Sequence, residues 1–265
     1  MTIYITGDTH GGIDASKVYS KNFPNYKNCT KEDYLIVLGD WGYLYQYNPS
    51  DIETDDKFEH INNQNIRNKL ILERNKMNAT FTNRKFTTLV VYGNHDNYDR
   101  IKNFPIIDKF GGKVRKINES IFELMRGEVY NIDGFKFFVF GGARSIDRYT
   151  ACRQEGINWW KEEECTYLEE SIAIENLKAN QNKVDFILSH TCDKSTLDKL
   201  SKMFNIYIEN YDNQNLFLEE IKKTVDYSIH CFGHIHKDLF VNDKEIVVYN
   251  KILNLEDLVS KNSNK

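Results

Sequence analysis

Predominantly apolar runs recur along the chain, each closed by glycine or a polar cluster: Thr2 to Thr6, Tyr34 to Leu38, Thr88 to Tyr92, Phe135 to Phe140, Val184 to Leu188 and Ser228 to Phe232. Without polar alternation they predict strands buried on both faces. Between several of them lie stretches of helical period: Asp55 to Met77, with apolar Phe58, Ile61, Ile66, Leu70 and Met77, then Trp159 to Ala179, then Asn215 to Val225. The alternation predicts a mixed α/β fold. Short strand-like segments crowd Lys113 to Phe140, and Glu245 to Tyr249 follows an Asn242-Asp243 turn as a late hairpin, so a second sheet is expected.

No Gly/Ser/Pro-rich linker and no solenoid-length repeat interrupts the pattern. We expect a single domain over residues 1–259 and a polar tail over 260–265. A content of 40% hydrophobic and 13% aromatic residues, with only 14 Gly and 3 Pro, excludes disordered and collagen-like classes. The N-terminus has no basic stretch followed by an apolar one, and no uncharged apolar segment is long enough to span a bilayer, so a soluble, cytoplasmic protein with no membrane association is expected. Five cysteines without a CxxC pair suggest neither a disulfide framework nor a thiolate zinc site. A net charge of −4 gives no general attraction to duplex nucleic acid, so any anionic substrate must be held locally.

Metal-capable side chains gather where the apolar runs end. The first run leads into Gly7-Asp8-Thr9-His10-Gly11-Gly12, the second into Gly39-Asp40-Trp41-Gly42, and the third into Gly93-Asn94-His95-Asp96. Later, Leu188-Ser189-His190 closes one run and Gly233-His234-Ile235-His236 follows another. In α/β sheets, ligand sites form outside the carboxyl ends of strands, so five loops distant in sequence can converge. Of seven histidines, only His60 and His230 fall elsewhere. Carboxylates, imidazoles and one amide oxygen, with no thiolate, suit Mn²⁺, Fe or Zn²⁺. The donors outnumber the needs of one ion; two ions roughly 3.5–4 Å apart, sharing a carboxylate and a hydroxide, would use them all and clamp a displacement at phosphorus.

This ordered set, D-x-H, G-D, G-N-H-[DE], a lone His and G-H-x-H, resembles the calcineurin-like metallophosphoesterases and spans residues 7 to 236. The resemblance implies a four-layer αββα sandwich of two packed mixed sheets flanked by helices. It further implies a dinuclear, metal-dependent phosphoesterase with Asp8, His10 and His236 on one ion, Asn94, His190 and His234 on the other, and Asp40 bridging. Attack would come from a metal-bridging hydroxide, with His95 as general acid for the leaving oxygen. Two divalent cations, Mn²⁺ foremost, would be the cofactors, and a phosphate ester the substrate, whether small molecule, nucleotide or phosphoprotein.

The serine/threonine phosphatases of this superfamily extend the second block to G-D-x-x-D-R, where this chain has Tyr43 and Leu44. A loop carrying Arg144, Arg148 and Arg153 could replace the missing guanidinium, and Arg144 or Arg148 is expected to reach the phosphate. Asp96 or Asp147 is a candidate to orient His95. Trp41 and the tyrosines 43, 45 and 47 either line the substrate cleft or pack in the core. Trp159-Trp160 and the acidic residues after them are expected to open a helix, with the tryptophans packed beneath. Alternatives are a nucleotide phosphodiesterase or nuclease using the same site, and a non-catalytic metal-binding interaction module.

Overall fold

Strands buried on both faces need cover on both faces, and two sheets stacked between helices provide it. The computed structural model describes residues 1–44, 63–150, 153–205, 207, 208 and 210–263. In the first sheet β1 (Ile3–Thr6), β2 (Tyr34–Leu38), β3 (Thr87–Val91) and β6 (Ile121–Leu124) run parallel. The antiparallel strands β4 (Ile106–Lys109), β5 (Gly112–Asn118) and β13 (Leu253–Asn254) complete the order β13-β1-β2-β3-β6-β5-β4. In the second, β8 (Phe135–Phe140), β9 (Phe186–Ser189), β10 (Ile229–Phe232) and β12 (Glu245–Val247) run parallel. Antiparallel β7 (Val129–Ile132) and β11 (Leu239–Phe240) flank them in the order β11-β12-β10-β9-β8-β7.

Alternate residues of each strand divide between two cores, as the pleat requires. Ile3, Ile5, Ile36, Leu38, Leu89 and Val91 face Phe137, Val139, Phe186, Leu188, Ile229 and Cys231 across the sheet interface. Tyr4, Leu35, Val37 and Val90 point the other way, against Met77, Phe81 and Phe86. Phe138, Phe140 and Ile187 on the outer face of the second sheet pack on α3 (Tyr167–Ala179) and α5 (Asn213–Thr224) through Leu177, Phe217, Leu218 and Ile221. This is the expected α/β architecture of two mixed sheets flanked by helices.

Several elements differ from expectation. The helix predicted from Asp55 is described as α1 over Asn63–Met77; its predicted start, with Phe58 and Ile61, lies outside the described residues. The helix predicted from Trp159 begins only at Tyr167, because Thr166 and Glu169 form a reciprocal capping box there. Ahead of it Lys161–Glu163 makes a single tight turn, and Glu163 and Glu164 turn inward to bind the loop after β8. Trp160 is buried as expected and donates to Asp99, whereas Trp159 lies against Arg148. Helices α2 (Tyr98–Ile101), α4 (Lys194–Phe204) and α6 (Leu255–Ser263) were not among the expected elements, and α6 runs into the segment expected as a polar tail. The parallel strands β1, β2, β3 and β8, β9, β10 bring their carboxyl ends to one edge, where the Leu38 carbonyl meets His190 and the Tyr92 carbonyl meets Gly142.

Candidate metal centre

Each loop leaves its strand through an abrupt turn. His10, Asp40, His234 and His236 all have positive φ, between 43° and 64°. Non-glycine residues occupy that region at a cost that surrounding structure must offset, and such strain concentrates at functional sites. The turns bring the side chains of separate loops into contact. Gly93 and Gly39 are required by proximity: a Cβ on Gly93 would collide with the Asp40 carboxylate and the His190 ring, and one on Gly39 with His190.

The donors form two groups that share one carboxylate. Asp8, His10, Asp40 and His236 offer one ligand atom each within a span of 4.8 Å, and Asp40, His190 and His234 do the same. His236 Nε2 lies 2.9 Å from Asp8 Oδ2, and His10 Nε2 lies 3.3 Å from Asp40 Oδ2. On the other side His190 Nε2 is 3.2 Å from Asp40 Oδ1, 3.1 Å from Asn94 Oδ1 and 3.2 Å from His234 Nδ1. All seven residues read from the sequence therefore meet at one place. His95 adjoins them, its ring 5.8 Å from that of His10 and its backbone N–H on Asp40 Oδ1 at 2.8 Å, yet it belongs to neither donor group.

Hydrogen bonds on the far side of the rings decide which nitrogen is free. His190 Nδ1 is 2.8 Å from the Leu38 carbonyl and His10 Nδ1 is 2.6 Å from Asp14 Oδ2; both partners only accept, so Nδ1 donates in each case. The Nε2 lone pairs then face carboxylate and amide oxygens, and the buried Asp8 Oδ2 receives no hydrogen bond at all. Lone pairs crowded on lone pairs fit a cation placed among them, and divalent metal is the cation this donor set favours. Without it, protons must serve. Burial opposes charge on His190, but the charge and hydrogen bond of Asp40 outweigh it and push the ring up to about 10. Burial is likewise outweighed at His10, by Asp40 and Asp14, which raise it to about 9. Asp40 is held well below the usual carboxylate range, since His190 and His10 overcome its burial. His234 falls to about 4 through burial and the charge of His190.

Asn94 is aimed by a relay that the sequence does not reveal. Its Nδ2 donates to Ser145 Oγ at 3.2 Å, Ser145 donates to Glu163 at 2.8 Å, and Oδ1 is thereby turned toward His190. Asp14, four residues after His10, had a local spacing signal; Ser145 and Glu163, far apart in the chain, had none. The residues considered for orienting His95 are committed elsewhere. Asp96 accepts the N–H groups of Trp41, Gly42 and Gly93, fastening the second loop to the third, and Asp147 pairs with Arg153 at 2.7 Å. Arg144 and Arg148 both bind Glu164, at 2.8 and 2.5 Å. Trp41 and Tyr43 pack in the core with Phe81; Tyr45 and Tyr47 lie outside the described residues.

The sequence profile of the calcineurin-like phosphoesterases matches residues 1–238. The chain belongs to that family. Its members being metal-dependent hydrolases of phosphate esters, this phosphoesterase binds divalent metal and acts on a phosphoester, and its His/Asp groups are able to hold the metal. No curated protein shows significant similarity to it. One solved structure aligns with 97% of this chain and 95% of its own at 13% identity and a TM-score of 0.44. Among the described residues no helix is long and apolar enough to cross a membrane.

Cation binding needs the Nε2 lone pairs of His10 and His190, whose rings hold protons at pH 7 in the metal-free protein. Loading with Mn²⁺ should therefore release protons, and apparent affinity should fall as pH drops from 9 to 6. Calorimetric titration in two buffers of different ionisation enthalpy checks this; a heat independent of buffer would contradict the assignment.

Proposed function

We propose that this phosphoesterase hydrolyses its substrate at a dinuclear centre, with Asp8, His10 and His236 on one ion, Asn94, His190 and His234 on the other, and Asp40 between them. The observation that carries the reading is the sharing of Asp40: its Oδ2 faces His10 while its Oδ1 faces His190. One carboxylate with two donor groups on opposite oxygens is the arrangement a bridging ligand needs. Two bound cations would polarise the phosphoryl oxygens and supply a hydroxide nucleophile near neutral pH. Mn²⁺ is the ion we would supply first, with Fe and Zn²⁺ compatible with the same donors.

His95 stands beside this centre without belonging to it, and we assign it the proton transfer to the departing oxygen. Burial and the nearby charges of Arg153, His10 and His190 lower its pKa against the pull of Asp40, so His95 is a stronger acid once protonated but carries that proton for less of the time at neutral pH. Arg144 and Arg148 flank Ser145, which touches Asn94, so their loop borders the centre. We assign these guanidinium groups to substrate phosphate, with Glu164 holding both in place.

The substrate class is tested by a panel of phosphate esters with Mn²⁺ supplied, including nitrophenyl phosphate and bis-nitrophenyl phosphate. Chelator-reversible turnover is expected; preference for the diester would favour a nucleotide phosphodiesterase, and absence of both metal and turnover would favour a binding module. Asp40→Ala should lose metal and activity together. His95→Asn should keep both ions, measured by elemental analysis, while kcat falls by roughly 10²-fold or more; loss of metal there would overturn its role. Arg144→Ala and Arg148→Ala should each raise KM with little change in kcat, and unchanged KM in both would remove the loop from substrate binding.

A further inference from the structure

His236 is the most exposed of the donors, its side chain 46% accessible, so burial alone does not fix its ring. Tyr249 does. Its ring lies flat against the His236 imidazole, with centroids 4.7 Å apart and planes at 14°. One side chain thus braces an imidazole of the first donor group directly. It touches neither His190 nor His234 in any contact among the described residues.

Tyr249 is itself held from both sides. Its N–H donates to Asp238 Oδ1 at 2.8 Å, and the same carboxylate takes the N–H groups of Asn250 and Lys251, both at 3.0 Å. Its carbonyl accepts from the buried Lys17 ammonium, which also donates to the Asp8 carbonyl at 2.7 Å and sits 5.1 Å from the Tyr249 ring centroid. The backbone of the Asp8 loop and that of the Tyr249 loop are therefore joined through one cation. Tyr249 also lies beyond residue 238, where the match to the family profile ends.

Resting on the dinuclear reading above, we propose that Tyr249 is a positioning residue for one ion of the pair, stacking on His236, with Lys17 and Asp238 fixing its backbone. Outer partners of metal-binding imidazoles set ring orientation and basicity, and their loss typically weakens affinity by about 10–100-fold. The effect here should be confined to the ion served by Asp8, His10 and His236.

The test is titration of the metal-free, full-length protein with Mn²⁺, followed by calorimetry and chelator competition. His236→Ala and His234→Ala identify which binding event belongs to which donor group. Tyr249→Leu, which removes the stacking, should weaken the His236 event by roughly 10-fold or more and leave the His234 event in place. Tyr249→Phe keeps the stacked ring, so it should retain most of that affinity. If Tyr249→Leu does not fold, Asp238→Ala, which releases the Tyr249 backbone but keeps its ring, should show the same selective loss and carries the test. Unchanged affinities, or equal weakening of both events alongside a lowered Tm, would overturn the proposal. Wild-type protein that binds no Mn²⁺ would instead overturn the dinuclear reading itself.

Discussion

Four imidazoles, two carboxylates and an amide oxygen are held at the carboxyl edge of two sheets, with lone pairs turned toward one another. That mutual repulsion is what the surrounding structure has to contain. Asp8, Asp40 and His190 are essentially without solvent contact, so water cannot relieve it. Protons on His190 and His10 can, and so can divalent cations; the donor chemistry and the family both point to the cations. Metal binding and the closeness of these loops are thus two sides of one electrostatic balance.

The scaffold meets that requirement by rigidity below and hydrogen bonding around. The loops spring from strands packed on both faces, which leaves their starting points little freedom. Positive φ at four of the donors turns the chain so that side chains point inward. Around them three donors are secured by groups that are not themselves donors: the Leu38 carbonyl for His190, Asp14 for His10, Ser145 and Glu163 for Asn94. Asp96 ties the Asp40 loop to the Asn94 loop through the backbone N–H groups of Trp41 and Gly42.

The loop after β8 shows how the same charges serve two purposes. Glu163 turns inward to Ser145, and its carboxyl is raised to about 7 chiefly by burial. Its neighbour Glu164 faces Arg144 and Arg148, which together lower its pKa despite partial burial. Adjacent acids in one tight turn therefore act in opposite senses, one in the relay to Asn94 and one binding the guanidinium groups. Read as the first turn of a helix, they had offered no hint of either part.

Sequence alone determined which residue types could gather and on which strand ends they sit. Predominantly apolar runs mark buried strands because they lack the polar alternation of a half-exposed one, and the polar blocks after them mark Asp8, His10, Asp40, Asn94, His190, His234 and His236. Helix α4 did carry a signal, Leu197, Leu200, Met203 and Phe204 at helical spacing behind the Asp193 N-cap, whereas α3 starts late because a capping box outweighs the periodicity before it. Only the tertiary structure decided which oxygen of Asp40 faces which imidazole, which nitrogen of each ring is free, and that Tyr249, Ser145 and Glu163 stand behind the centre. Those contacts join residues separated by up to hundreds of positions, and hydrogen bonding and stacking depend on distance in space, for which the order of residues along a chain carries no local signal.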